Sequence, residues 1–201
     1  MARQSPDNGR LIAVEGMRGH DLREATADVW GRLAARKVRG GISAWDASGI
    51  FSELRVEKRR DLALSPRTLV LLYAADLVFR LRWQIRPALD QGHVVIAAPY
   101  VQTAVAFGVA GGLSLSWLTK LFAFAPQPDA CYRIKERGKA SRRKGKPLDG
   151  YVEFCVAMLA DCAISVGPSD LRRKTVTYLA ELEGTGRCPR LTKRAISSLP
   201  A

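Results

Sequence analysis

The chain has 201 residues, 47% of them hydrophobic, and its 32 basic and 19 acidic residues give a formal net charge of +13. This length and hydrophobic content favour one compact domain. The sequence has no apolar run of about 18 residues, and residues 1–10 lack the apolar stretch of a secretory signal, so we expect a soluble, cytoplasmic protein that does not enter a membrane. The positive charge favours polyanionic partners.

The cysteines and histidines do not have metal-ligand spacing. No C-x-x-C pair occurs among Cys131, Cys155, Cys162 and Cys188, and both histidines lie far from them in the sequence. We therefore expect neither a metal site nor a disulfide framework. Cys155 and Cys162 are seven residues apart on a predicted helix, which favours two small buried side chains on one face over a reactive pair.

The first half of the chain predicts strands alternating with helices. Residues 11–14 form a short apolar run typical of a buried parallel strand, and residues 21–37 have helical periodicity. The clearest helix signal covers residues 65–91, and Pro87 should kink or shorten its last turn. Residues 94–98 have the composition of a second buried strand.

The second half continues this alternation. We predict helices at 100–109 and 114–124, a strand at 130–134, a helix at 148–161, a short strand at 163–166 and a final helix that ends near residue 183. Strands alternating with helices imply an α/β fold with a parallel sheet covered on both faces. We expect residues 1–10 to be mobile and the basic tail, residues 184–201, to be mobile or loosely docked.

Several segments resemble motifs of the thymidylate kinase family. Residues 65–76 (SPRTLVLLYAAD) and 85–92 (IRPALDQG) are similar to the long central helix of bacterial members. Residues 93–100 (HVVIAAPY) resemble a strand followed by an Asp-Arg-Tyr motif, and residues 112–118 (GLSLSWL) resemble a Gly-Leu-Asp-Leu-x-Trp-Leu stretch. The resemblance covers about residues 11–183 and implies a three-layer α/β/α fold of the P-loop NTPase type.

The phosphate loop of the family is altered in this sequence. The family pattern Glu-Gly-x-Asp-Gly-x-Gly-Lys-Ser/Thr-Thr falls on Glu15, Gly16, Met17, Arg18, Gly19, His20, Asp21, Leu22, Arg23 and Glu24. Such a loop encloses phosphates with backbone N–H groups, neutralises them with its Lys and holds magnesium with its hydroxyl. Here Asp21 replaces the last Gly, Leu22 the Lys and Arg23 the hydroxyl, while Arg18 reverses the charge of an Asp.

Other charged positions of the family are also replaced. The Asp-Arg-Tyr motif reads Ala98-Pro99-Tyr100, and the Arg that follows Ala-Ala-Asp has become Leu77. Removing one contact that stabilises the transition state costs roughly 3 to 4 kcal/mol, so the combined changes predict no meaningful thymidylate kinase activity.

Three aromatic residues fall where the family has aromatic or ring-contacting groups: Tyr73, Tyr100 and Phe107. They fit either the remnant of a nucleoside pocket or, as we favour, ordinary packing on helix faces. Gly108 replaces a Gln that contacts the thymine edge in the family.

A basic segment occupies the region that leads into the family's lid. Between Arg133 and Lys146, eight of fourteen residues are basic, and the lid region, about residues 133–147, is shortened. The segment fits a solvated loop or an arm that binds polyanions such as nucleotides or nucleic acid. The residues assigned to polyanion binding are Arg137, Lys139, Arg142, Arg143, Lys144 and Lys146.

The leading hypothesis is a catalytically inactive thymidylate-kinase-like protein that binds a nucleotide, nucleic acid or another protein, without cofactors. One alternative is an active kinase that transfers phosphate from ATP to dTMP with magnesium, in which Arg18 or Arg23 replaces the missing Lys. A further alternative is a structural or regulatory subunit that forms a homodimer, since members of the family commonly pair through helices.

Overall fold

The computed structural model describes residues 9–56, 64–134, 150–159, 168–192 and 195. Its strands are β1 (Arg10–Glu15), β2 (Gly40–Ala44), β3 (Val94–Ala98) and β4 (Ala130–Arg133). Its α-helices are α1 (Gly19–Ala35), α2 (Ile50–Val56), α3 (Pro66–Arg80), α4 (Arg86–Asp90), α5 (Val101–Ala110), α6 (Leu115–Leu121), α7 (Tyr151–Met158) and α8 (Pro168–Gly184). A π-helical segment, Leu81–Ile85, joins α3 to α4.

The four strands of the described residues form one parallel sheet in the order β2-β3-β1-β4. Ile96 in β3 is paired with Ile12 on one side and with Ile42 on the other. Because the strands are parallel, the loops that follow β1 and β3 emerge at the same edge of the sheet. This edge brings together the residues after Glu15 and the residues after Ala98, which is where ligands bind in open α/β sheets.

Alternating side chains of β1 enter two separate hydrophobic cores. Leu11 and Ala13 belong to a large core that includes residues of α3, α5, α7 and α8, whereas Ile12 and Val14 pack with the buried face of α1. Helices therefore cover both faces of the sheet, and the predicted three-layer α/β/α fold is confirmed.

Strand β2 was not predicted, because its sequence, GGISA, has neither an apolar run nor a clear alternation. Its position depends on Gly40, which has a φ of 150°. A Cβ atom there would overlap the carbonyl group of Val94 on the adjacent strand. Glycine thus allows a close approach to β3 that periodicity does not reveal.

The long helix predicted at residues 65–91 is present, with the π-helical segment inside it. Ser65 caps its start by accepting a hydrogen bond from the Thr68 N–H at 3.1 Å. Pro87 has no N–H to donate to the Trp83 carbonyl, so the regular pattern cannot continue there. The chain widens to a π-turn before Pro87 instead of ending the helix.

One expectation for the C-terminal region is wrong for the described residues, and part of the tail is found docked. Cys131 and Cys188 form a disulfide, although no disulfide framework was expected. The tail, expected to be mobile or loosely docked, pairs with β4: the Arg133 N–H donates to Pro189 O at 2.9 Å, and the Leu191 N–H donates to Arg133 O at 2.8 Å. Folding of the tail onto β4 brings together two cysteines that are 57 residues apart.

Several predicted features lie outside the described residues: residues 1–8, the strand at 163–166, Cys162 and most of the lid region. Gly9 and Arg10, which were included in the mobile N-terminus, are instead held by hydrogen bonds to Leu89 O and His93 O. Among the described helices, none is long and apolar enough to cross a membrane.

Candidate functional site

The turn between β1 and α1 is short and contains only Gly16, Met17 and Arg18. Helix α1 already begins at Gly19, and the Leu22 N–H donates to the Arg18 carbonyl at 2.9 Å. No residue from 15 to 24 has a positive φ. Residues 19–23, which would form the phosphate cradle, are therefore helical, and their N–H groups cannot wrap around a phosphate as they do in a phosphate loop.

The start of α7 fills the space in front of α1. Glu153 Oε2 accepts a hydrogen bond from the Gly19 N–H at 3.3 Å. Gly150 lies so close that a Cβ atom would be 2.5 Å from Gly19 N and 2.8 Å from Met17 O. A helix N-terminus attracts anions through its unpaired N–H groups and its dipole. Here the protein's own carboxylate occupies that position.

Aromatic packing holds α7 in this place. The ring of Tyr151 lies 4.4 Å from the ring of Tyr73 and 5.7 Å from that of Phe107, measured between centroids. Phe154 packs against Phe51 at 5.2 Å. Helix α7 therefore fills two places: its carboxylate lies at the phosphate loop, and its Tyr151 ring lies against two of the three aromatic residues assigned to a nucleoside pocket.

Glu15 ties the phosphate-loop strand to the start of α5. Its Oε2 accepts from Thr103 Oγ1 at 2.6 Å, from Thr103 N at 3.0 Å and from Tyr100 N at 3.2 Å, and its Oε1 accepts from Gln102 N at 2.9 Å. The carboxyl group is fully buried, and burial raises its pKa although these hydrogen bonds act in the opposite direction. Glu15 thus serves as a cap for α5.

The residues that replace the catalytic positions point in different directions. Leu22, at the Lys position, is 4% exposed and belongs to the core beneath α1, while Arg23, at the metal position, is exposed. Asp21 is 8% exposed, and its Oδ2 atom has no hydrogen-bond partner. His20 Nδ1 lies 3.7 Å from Asp21 Oδ1 and 3.8 Å from Glu24 Oε2.

Comparison with known proteins finds several thymidylate kinases. A probable thymidylate kinase of Pyrococcus abyssi is 39% identical over 84 residues, which are 42% of this chain and 41% of that protein. A probable thymidylate kinase 2 of Saccharolobus solfataricus is 28% identical over 153 residues, 73% of this chain and 71% of that protein. The chain is similar to thymidylate kinases over as much as 73% of its length. No family model matches the chain.

Coverage differs among these thymidylate kinases. The match to the Pyrococcus abyssi protein spans less than half of that protein's length. A probable thymidylate kinase of Pyrobaculum calidifontis is 28% identical over 143 residues and is covered to 72%. The longer matches extend well beyond the phosphate-loop region, in agreement with the three-layer fold.

The three aromatic residues assigned to a nucleoside pocket of the thymidylate kinase type are all buried. The Tyr73 hydroxyl donates to the carbonyl oxygens of Pro99 and Tyr100, at 2.9 and 2.6 Å, and Phe107 lies fully inside the large core. Burial raises the pKa of Tyr73, so its hydroxyl remains a proton donor. Tyr100 donates to Pro126 O at 2.9 Å and borders a cavity.

That cavity was not predicted from the thymidylate kinase resemblance. It has a volume of about 740 Å³ and lies between β1, β4, the start of α5 and the docked tail. Its polar border includes Gln102, Asp129, Tyr132 and Arg187. Residues from three distant parts of the chain meet here, which is why no local motif indicates it.

Sequence reasoning also missed Arg80, a buried cation near the altered Asp-Arg-Tyr motif. Its Nε donates to Ser43 Oγ at 3.0 Å, and its Nη1 donates to Pro99 O at 2.9 Å. The side chain is completely buried. Arg80 lies one helical turn after Leu77, the position at which members of the thymidylate kinase family have an Arg, and here it joins β2 to the end of β3.

The polyanion-binding assignment cannot be placed in the structure. Arg137, Lys139, Arg142, Arg143, Lys144 and Lys146 all lie outside the described residues.

Proposed function

We propose that this thymidylate-kinase-like protein does not transfer phosphate and acts instead by binding a nucleotide, nucleic acid or protein partner through surfaces outside the phosphate loop. ATP and magnesium are not cofactors in this proposal. The observation that carries it is the position of α7, whose Glu153 carboxylate takes the Gly19 N–H at the start of α1.

Two features of the site support the loss of ATP binding. The segment that should wrap around the phosphates is helical from Gly19 onward. Asp21 and Glu153 add two carboxylates beside the anion position, and each repels a polyphosphate. Any ATP molecule in the family's position would have to displace α7, which the contacts of Tyr151 and Phe154 oppose.

The active-kinase alternative requires Arg18 or Arg23 to replace the missing Lys. Arg23 is exposed on α1, whereas Arg18 immediately precedes the helix and is half-buried, so Arg18 is the better candidate. The Lys position itself is filled by Leu22 within the core. This alternative also does not explain why the Glu153 carboxylate accepts the Gly19 N–H, which an active kinase would use to bind phosphate.

A coupled assay of phosphate transfer from ATP to dTMP, with magnesium, tests the proposal. The Saccharolobus solfataricus relative, assayed in parallel, checks the conditions. We expect no turnover by this chain and no rise in its melting temperature with ATP and magnesium, because a ligand at 100 times its dissociation constant would add about 2.7 kcal/mol. Measurable transfer that disappears in an Arg18→Ala variant would establish the active kinase instead.

Affinity measurements on the full chain separate the three ligand classes. Titrations with dTMP, with single-stranded DNA and with inorganic polyphosphate compare one nucleotide with two polyanions of different chemistry. Binding to both polyanions that weakens steeply with salt would indicate the basic segment, because counterion release makes such binding salt-dependent. Binding of dTMP alone would indicate a retained nucleotide pocket. Binding of none of the three would leave a protein partner as the ligand class.

A second candidate is a structural subunit that pairs with another copy of itself. The observation that favours it is a row of exposed apolar side chains on one side of α3 and the π-helical segment: Leu71, Val78, Phe79 and Trp83. Trp83 is 62% exposed, which is costly for a side chain of this size unless a partner covers it. Two copies related by a twofold axis would cover each other's row.

A further inference from the structure

Three potential metal ligands project together from the first turns of α1. His20 and Glu24 are four residues apart and so share one face of the helix, and Asp21 is adjacent to His20. The ligand atoms of the three side chains all lie within 4.8 Å of one another. His20 and Glu24 are 42% and 50% exposed, so an ion can reach them from solvent.

The Asp21 carboxylate gives an independent indication. Asp21 is more than nine-tenths buried, yet its Oδ2 atom has no hydrogen-bond partner. A buried carboxylate oxygen without a partner is unfavourable, because it has lost its hydration without replacement. Oδ1 of the same carboxylate lies beside His20, and a cation bound to this carboxylate would offset the lost hydration, because the two oxygens share the negative charge.

The distances suit a first-row divalent ion after small side-chain movements. Zinc binds His nitrogen and carboxylate oxygen at about 2.0 to 2.2 Å, so two ligand atoms in a tetrahedral site lie about 3.3 Å apart. His20 Nδ1 is 3.7 Å from Asp21 Oδ1 and 3.8 Å from Glu24 Oε2. Rotation of the exposed His20 and Glu24 side chains can close these gaps of about half an ångström and shorten the widest separation among the three ligand atoms, which is at most 4.8 Å.

We propose that His20, Asp21 and Glu24 bind a divalent transition-metal ion such as zinc, with solvent completing its coordination. This site differs from the magnesium position of a phosphate loop, which falls on Arg23 and has no metal-binding side chain here. One imidazole with two carboxylates favours zinc and similar ions over magnesium or calcium, which prefer oxygen ligands alone. The proposal does not depend on the absence of kinase activity.

Isothermal titration of the full chain with Zn²⁺ tests this site. Loss of a ligand should weaken binding at least as much as loss of a group that only hydrogen-bonds to a ligand and orients it, which costs about 10- to 100-fold. We therefore expect His20→Ala and Asp21→Asn each to weaken Zn²⁺ binding about tenfold or more. The matched controls are Asp28→Asn, a carboxylate on the same helix that pairs with Arg32, and His93→Ala, the other histidine; both should bind as wild type does.

Cobalt provides a second measurement that does not depend on stability. Co²⁺ bound to a nitrogen and carboxylate site gives visible absorption that Zn²⁺ abolishes by competition, and this signal should be lost in His20→Ala. Asp21→Asn should remain folded, since asparagine has nearly the same size and shape as aspartate. Equal Zn²⁺ affinity in wild type and His20→Ala, or a loss of affinity in the His93→Ala control instead, would overturn the proposal.

Discussion

The Glu153 carboxylate lies 3.3 Å from the backbone nitrogen of Gly19, the first residue of α1. In a phosphate loop, the N–H groups at this helix end bind phosphate oxygens. A carboxylate in the same place supplies the negative charge and the acceptor atoms from within the chain. This contact explains how the α/β fold can be stable while its own helix α7 lies against the phosphate loop.

Restoring the loop sequence should not restore catalysis. In the variant Asp21→Gly, Leu22→Lys, Arg23→Thr, we expect no transfer of phosphate from ATP to dTMP, because Leu77, Ala98 and Pro99 remain and α7 still covers the loop. The variant should also lose at least about 3 kcal/mol of stability, because the change at Leu22 would place an unpaired charge in the core under α1.

A coupled kinase assay measures phosphate transfer, and urea denaturation measures the loss of stability. Arg23→Thr alone is the control, because Arg23 is exposed and its replacement should leave the stability nearly unchanged. Strong activity in the triple variant, beside an inactive wild type, would show that the loop residues alone prevent phosphate transfer.

The close contact of α7 with the loop predicts a steric effect at Gly150. Gly150→Ala places a Cβ atom 2.5 Å from Gly19 N, so α7 or the loop must shift. Gly150 has φ −123° and ψ 150°, which alanine adopts easily, and the effect is therefore steric rather than conformational. Such overpacking costs about 1 to 3 kcal/mol, measured by urea denaturation.

The matched control for this variant is Gly31→Ala. Gly31 lies inside α1 with no atom within 4 Å of its added Cβ, so the change should stabilise the protein by about 0.5 to 1 kcal/mol. If Gly150→Ala is as stable as wild type, α7 does not press against the loop.

The hydroxyl of Thr103 should be important because it binds the buried Glu15 carboxylate at 2.6 Å. Thr103→Val removes a hydrogen bond to this buried carboxyl group, and leaving a buried polar group with one partner fewer costs about 1 to 3 kcal/mol. Thr177→Val on α8 is the control, since its hydroxyl is exposed and binds only a carbonyl of its own helix.

The cost of Thr103→Val should also depend on pH. Burial raises the pKa of Glu15 in the folded protein above the ordinary value of 4.5. The stability that the protonated Glu15 side chain contributes is therefore fully present below pH 4.5 and is lost as the pH rises through the folded-state pKa. The Thr103 hydroxyl lowers this pKa, and removing it raises the pKa further. Urea denaturation should therefore give a larger difference from wild type at neutral pH than at acidic pH; equal differences would contradict this assignment.

Cys155 should be unreactive in the folded protein. Its side chain is fully buried, and burial raises the pKa of its thiol well above the ordinary value of 9.0. The thiol is therefore neutral at physiological pH, and the stability that it contributes is lost only as the pH rises through the raised pKa. We expect the Cys155 thiol of a Cys162→Ser variant to react with a disulfide reagent on the order of 10³-fold more slowly in the folded than in the denatured protein. The reason is that the reagent can reach the thiol only when the folded structure opens. Rapid labelling of the native protein would place Cys155 at the surface.

Pairing of two copies predicts a specific effect at Trp83. Trp83→Glu places a charge at the C-terminal end of the apolar row, on its most exposed side chain, and should convert a dimer to a monomer in sedimentation experiments. Leu115→Glu is the control, because Leu115 is 49% exposed on α6 and lies outside that row. A wild-type protein that is monomeric at every concentration would exclude the structural-subunit candidate.

The sequence alone predicted the elements whose signals are local. The apolar runs of β1 and β3, the cap at Ser65 and the long helical periodicity after it are each encoded in adjacent residues, and the structure has them at nearly the predicted positions. The replacements at Asp21, Leu22 and Arg23 are likewise visible in the sequence. Strand β2 was not predicted because a close strand approach leaves little trace in hydrophobic periodicity. Pro87 marked a disturbance of the long helix but did not show that it would take the form of a π-helical segment.

Only the tertiary structure decided what lies against the altered phosphate loop. Glu153 is 134 residues from Gly19, Thr103 is 88 residues from Glu15, and Cys188 is 57 residues from Cys131. None of these pairs has a spacing that marks it, because helix and strand periodicity constrain near neighbours alone. The sequence determined that the phosphate loop lacks its Lys and its metal ligand, whereas packing of α7 across the sheet edge determined that a carboxylate occupies the anion position.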